Sequence, residues 1–176
     1  DELGLGDVPA GGHGVAVADV DGDGRPDLFV PTLLELGNCG HRLFLNHPTG
    51  FEDVSARWLP CNVPHNAQGA TFFDFDDDGD PDLFLASNGP NRLWRNDGDG
   101  FIDATTAPVA GDPTALTASA AAADFDGDGD LDLYVVNHEF QGLGGPDQPH
   151  PADVLLRNLG GGAFEDASQL LPPEDL

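Results

Sequence analysis

No lysine occurs in this chain, and its permanent positive charge rests on six arginines, Arg25, Arg42, Arg57, Arg92, Arg95 and Arg157, set against 32 aspartates and glutamates. The formal charge of -26 repels phosphate backbones and anionic lipid surfaces, which argues against nucleic acid as a partner and against membrane insertion; cations, a basic partner or a mineral face are the natural counter-charge. No apolar run reaches membrane-spanning length. Methionine is also absent and residue 1 is an aspartate, as expected of a secreted mature chain from which a leader has been removed. The two cysteines, Cys39 and Cys61, are too few for a zinc site and too far apart for a redox motif. In an oxidising compartment they are expected to bridge, closing a loop of about 20 residues for roughly 3 kcal/mol in a chain-entropy account; two buried thiols are the alternative. There is no G-x-S-x-G, H-E-x-x-H or phosphate loop, so carboxylates alone are on offer for catalysis.

What the chain has in excess is aspartate at a fixed spacing. "ADVDGDGRPDLFV" at 18–30 is followed by "FDFDDDGDPDLFL" at 73–85 and "ADFDGDGDLDLYV" at 123–135. Counting from the first aspartate of each, carboxylates fall at positions 1, 3, 5 and 9: Asp19, Asp21, Asp23 and Asp27; Asp74, Asp76, Asp78 and Asp82; Asp124, Asp126, Asp128 and Asp132. Glycine stands at position 6, as Gly24, Gly79 and Gly129, and permits the sharp turn that points successive carboxylates inward. The residues at position 7, Arg25, Asp80 and Asp130, can each add a backbone carbonyl. Such a set suits a hard cation with many oxygen ligands. Calcium fits better than magnesium, which demands strict octahedral geometry and keeps its waters. An EF-hand is excluded, because its position-12 glutamate is replaced by Val30, Leu85 and Val135. A single loop of this kind reads equally as a solvated acidic turn; three in register do not.

More than the loop repeats. Small or apolar segments, "GVAVA", "GATFF" and "SAAAA", precede the loops, and "DLFV", "DLFL" and "DLYV" follow them. Then come "HRLFLN", "NRLWRN" and "DVLLRN", a glycine-containing turn, and "FEDVS", "FIDAT" and "FEDAS". The unit is strand, acidic loop, strand, variable loop, strand, tight turn, strand, which is the content of one propeller blade. Scattered glycine and proline, 24 and 15 residues, leave no stretch with sustained helical periodicity. The expected fold is all-β: three four-stranded blades spanning about 13–56, 68–106 and 118–168 of a single repeat domain, with the small-residue first strands nearest a crowded axis.

The repeated D-x-D-x-D-G-x-x-D-L, with R-L-x-x-N and F-x-D-[VA]-[ST] after it, resembles the FG-GAP/VCBS repeat, particularly the ASPIC/UnbV form of secreted bacterial proteins. The resemblance implies β-propeller blades that each hold a calcium ion in the loop between the first two strands, as in integrin α-subunit propellers.

Three function classes follow. The first is a non-catalytic extracellular structural or adhesive module that binds about three Ca²⁺. The second is a ligand-binding domain that recognises a carbohydrate or protein through the variable loops at 31–40, 86–90 and 137–152, since variation on a fixed scaffold is where recognition lives. The third, an enzyme using paired aspartates or a metal-activated water, has nothing to distinguish it from a saturated calcium site. The third variable loop carries His138, Glu139 and His150; like His13, His41, His47 and His65, these histidines recur at no equivalent place and are expected to be solvated. A propeller needs roughly four to eight blades, and three units cannot close a ring. Joining "FEDASQLLPPEDL" on paper to "DELGLGDVPAGGHGVAVADVD" reproduces the passage between units, so the subunit is expected to continue head to tail into copies of itself, as a ring or a filament.

Overall fold

Each acidic loop is the turn of a β-hairpin. The computed structural model describes residues 14–32, 40–61, 66–138 and 152–172. β1 (Ala16–Ala18), β2 (Asp27–Val30), β3 (Arg42–His47) and β4 (Gly50–Asp53) form the first sheet in sequence order. β5 (Ala67–Phe73), β6 (Asp82–Ser87), β7 (Arg92–Asn96) and β8 (Phe101–Asp103) form the second, and β9 (Leu116–Ala123), β10 (Asp132–His138), β11 (Val154–Asn158) and β12 (Phe164–Asp166) the third. All pairings are antiparallel, and the register repeats: Ala16 opposes Phe29, Thr71 opposes Phe84, and Ala121 opposes Tyr134. The three blade-like sheets of the sequence reading are therefore present, with β5 and β9 beginning at Ala67 and Leu116, just ahead of the expected bounds.

The sequence reading did not anticipate the short helical turn after each fourth strand. These are α1 (Ser55–Trp58), α2 (Ala107–Ala110) and a 3-10 turn at Ser168–Leu170. The F-x-D-x-[ST] motif builds the corner that leads into them. Asp53, Asp103 and Asp166 accept hydrogen bonds from the backbone N–H two residues on, at 3.0, 3.0 and 2.9 Å. The hydroxyls of Ser55, Thr105 and Ser168 in turn accept the N–H of Leu43, Leu93 and Leu155 at 2.9, 3.0 and 3.1 Å. The corner thus extends the pairing of strands three and four by a side-chain bond, a use typical of Ser and Thr beside an aspartate.

The core lies between sheets, so β6 of the middle sheet is buried along its whole length, whereas the outer sheets each turn one face to a core. Phe29 and Leu43 of the first sheet pack with Leu83, Leu85, Trp94 and Phe101 of the second. Phe84 and Leu93 of the second pack with Leu133, Val135, Leu156 and Phe164 of the third. Successive side chains of each strand point to opposite faces, so β6 serves the first blade with Leu83 and Leu85 and the third with Phe84. The first strands approach most closely: a Cβ built on Gly69 would lie 2.7 Å from the Ala118 carbonyl oxygen of the next sheet. Gly69→Ala is expected to cost about 1–3 kcal/mol by forcing the two strands apart. Gly14→Ala, whose nearest contact would be an ordinary 3.6 Å, serves as the control, and denaturant melts of the two variants check the difference.

Candidate metal centres

The ninth-position aspartate anchors each loop. Asp27, Asp82 and Asp132 are 0, 0 and 1% exposed, and each accepts two backbone N–H groups from opposite sides. One oxygen takes the N–H of the loop's second residue: Val20 at 2.8 Å, Phe75 at 3.0 Å and Phe125 at 3.0 Å. The other takes the N–H of the asparagine at or next to the end of strand three: Asn46 at 2.7 Å, Asn96 at 2.8 Å and Asn158 at 2.8 Å. Burial raises the Asp27 carboxyl and pushes Asp82 up to about 7, against the pull of these same hydrogen bonds.

The remaining carboxylates wrap the turn. The first aspartate accepts the N–H of the position-6 glycine, from Gly24 to Asp19 at 2.7 Å, Gly79 to Asp74 at 2.9 Å and Gly129 to Asp124 at 3.1 Å. The fifth accepts the N–H of position 7: Arg25 to Asp23, Asp80 to Asp78 and Asp130 to Asp128, at 2.9, 2.9 and 3.1 Å. Positions 4 and 6 both lie in the left-handed region. Gly22 (φ 71°), Gly127 (φ 80°) and, unexpectedly, Asp77 (φ 61°) hold position 4. The sequence reading singled out position 6 alone; the signal at position 4 was Gly in two loops of three. Asp77 also touches the third loop, since a side-chain hydrogen bond to it, followed by burial, raises the Asp130 carboxyl.

Carboxylate oxygens converge at three points. Asp19, Asp21 and Asp27 offer oxygens within 4.8 Å of one another, as do Asp74, Asp76 and Asp78, and Asp124, Asp126 and Asp132. Each loop thus brings together three of its four predicted carboxylates. Asp23 is instead held by the Arg25 guanidinium; Asp128 in the third loop and Asp82 in the second stand outside their groups. The seventh residues enter through their N–H groups. In the second loop Asp74 Oδ1 and Asp76 Oδ1 are buried without any hydrogen-bond partner, and burial, then the neighbouring Asp78 charge, raise the Asp76 carboxyl. Two buried oxygens of like charge with no donor leave a place that a cation would satisfy, and an all-oxygen donor set fits calcium. Arginine supplies a fraction of the compensation: Arg157 lies 3.8 Å from Asp126, and the Arg95 charge lowers Asp76.

The asparagine side chains tie the first and second loops to the next blade, a role the sequence reading missed. Asn96 Nδ2 donates to the Val20 carbonyl at 2.8 Å and Asn158 Nδ2 to the Phe75 carbonyl at 2.7 Å. Val20 and Phe75 are the residues whose N–H groups bind the buried aspartates, so a continuous hydrogen-bond path runs from Asp27 through Val20, Asn96, Asp82, Phe75 and Asn158 to Asp132. Asn158→Ala should cost about 2–3 kcal/mol, because it leaves the Phe75 and Leu131 carbonyls without their donor; thermal and urea melts read the loss.

With that geometry in place, family models match along the chain: an FG-GAP-like repeat over residues 74–135 and an FG-GAP repeat over residues 11–35. The chain carries FG-GAP-type repeats over these two segments. No curated protein matches the chain. FG-GAP repeats are typical of extracellular or cell-surface proteins, are generally structural or binding elements, and often bind calcium. Among the described residues no helix is long and apolar enough to cross a membrane.

The other singled-out residues fall as follows. His41, expected to be solvated, is 1% exposed; its Nδ1 accepts the Thr32 N–H at 3.1 Å, and its ring lies between Phe29 and Trp94 at 5.7 and 5.8 Å. It is a core histidine. A position directly before an apolar strand was the available signal. His47 Nε2 lies 3.0 Å from Glu52. Cys61 sits in the turn after α1, its Sγ 3.2 Å from the Leu59 carbonyl oxygen. Cys39, His13, His65, Glu139 and His150 lie outside the described residues, as do most of the loops at 31–40 and 137–152.

Proposed function

We propose that the chain is a non-catalytic, extracellular calcium-binding module of structural or adhesive role, pinned by one Ca²⁺ in each acidic loop and continued head to tail by copies of itself. The buried, donorless Asp74 Oδ1 and Asp76 Oδ1 carry the metal part of this reading. In each loop the aspartates at positions 1, 3, 5 and 9 would hold the ion, with the carbonyls of Arg25, Asp80 and Asp130 added. When bound, the ion neutralises carboxylates that otherwise repel one another across a few ångströms. The chain's own part is to present them: the ninth aspartate fixes the hairpin from inside, and the left-handed fourth and sixth residues turn the others toward a common centre.

A second reading, recognition of a carbohydrate or protein by the variable loops, draws support from a cavity of about 110 Å³ between the second and third blades. It is lined by Asn91, Val109, Asn137 and Ala152, at the ends of two of those loops. That volume is below the roughly 300–1,000 Å³ of a ligand pocket, which suits a small polar group at the edge of a larger contact.

Calcium removal tests the first reading. If sites half-saturate near 10⁻⁴ M, millimolar calcium stabilises the fold by about 1.4 kcal/mol per site, a large share of a marginal stability. The melting temperature should fall markedly in excess chelator, and calorimetry should count three ions, reduced to two by Asp76→Asn combined with Asp78→Asn. An unchanged melt without binding heat contradicts the reading.

A further inference from the structure

The two interfaces inside the chain are built alike, and each end of the chain carries one half of a third. In the interfaces already formed, the second residue of an acidic loop is a buried knob: Val20 is 1% and Phe75 4% exposed. Phe75 meets Phe164, the first residue of the next blade's last strand, at 6.2 Å. Beside it, Phe29 and Phe84 are each 0% exposed. At the far face of the third blade the equivalents are open, with Phe125 39% and Tyr134 37% exposed and Ala121 and Ala123 exposed next to them. No donor among the described residues reaches the Phe125 carbonyl, although the Val20 and Phe75 carbonyls each take an asparagine amide.

The near face of the first blade is the complement. Val15 and Val17 are 59 and 54% exposed. Leu28, Val30 and Phe51 are half-buried, where their equivalents Leu83, Leu85 and Phe101 are 0, 1 and 5% exposed. Phe44 alone of this face is already covered within the chain. Asn96 and Asn158 each donate both to a carbonyl of their own blade and to the loop of the blade before; Asn46 donates to the Pro26 carbonyl at 3.1 Å, and among the described residues nothing takes its second amide hydrogen.

We propose that two copies of this chain dock head to tail, the Phe125 loop of one seated on the Val17–Phe51 face of the next and the Asn46 side chain of the second donating to the Phe125 carbonyl of the first. This rests on the self-assembly reading above and names the contact that makes it. A second copy is the occupant the observations select, because both halves, donor with concave face and acceptor with knob, stand on one chain and match interfaces that it already forms twice. The contact is heterologous, so a closed ring and an open filament contain the same bond pattern.

Complementary disabling tests it. Sedimentation velocity of the intact chain in millimolar calcium should show mass beyond the monomer, rising with concentration. Phe125→Ser removes the knob without adding charge to the acidic loop and Val17→Glu charges the receiving face; both residues are exposed, so each variant should keep the monomer melt and lose self-association at least ten-fold. Mixed one to one, the two variants retain one intact face each and should form a dimer and nothing larger. A monomeric wild-type chain, continued association of either variant alone, or a mixture that stays monomeric overturns the proposal. Calcium stoichiometry measured on the same samples separates the outcomes: three bound ions with no assembly sinks the docking alone, whereas absent binding sinks the calcium reading.

Discussion

A buried aspartate held by two backbone N–H groups is the constraint on which the rest of this structure depends. Taking a carboxylate out of water costs several kcal/mol unless donors replace the hydration it loses. At Asp27, Asp82 and Asp132 the donors come from two places, the second residue of the acidic loop and the end of strand three. One side chain therefore fixes both the entry of the hairpin and its alignment with the third strand. The acidic loop can then crowd its other carboxylates around one point because its ends are already tied.

The same loop is the connector between blades. Its second residue gives its N–H to the buried aspartate and its carbonyl to the next blade's asparagine, so the peptide groups flanking Val20 and Phe75 bond in two directions. Apolar packing follows these bonds, with each of the two cores lying between neighbouring sheets. The stability of such an array is close to a sum of blade and interface terms. Among the described residues, each of the two outer faces carries one half of the pattern.

Much of this was legible in the sequence because the repeated signals are local. The aspartate spacing, the glycine at position 6 and the alternation of strands and turns are all read within a dozen residues, and three copies remove the ambiguity of one. What escaped notice depends on distant partners. Asn158 and Phe75 are 83 residues apart in sequence, and nothing in "VLLRN" says that its asparagine reaches into the previous loop. His41 looked like a loop residue until the rings of Phe29 and Trp94 closed over it. Asp77 gave no sign of its left-handed backbone, since an aspartate there extends the acidic run and hides the position that glycine marks in the other two loops. The helical turns after strand four were missed because their four residues or fewer are too short to show a period.

The central claim is that metal binding and blade packing share one set of peptide groups. Hydrogen exchange of individual backbone amides, followed by NMR in calcium and in chelator, tests it most directly. The account predicts that the N–H groups of Val20, Phe75, Asn96 and Asn158 exchange near the rate set by global unfolding in calcium, and that chelation speeds all four together, more than it speeds the amides within strands β6 and β10. Protection of these four that is unchanged by chelator would contradict it.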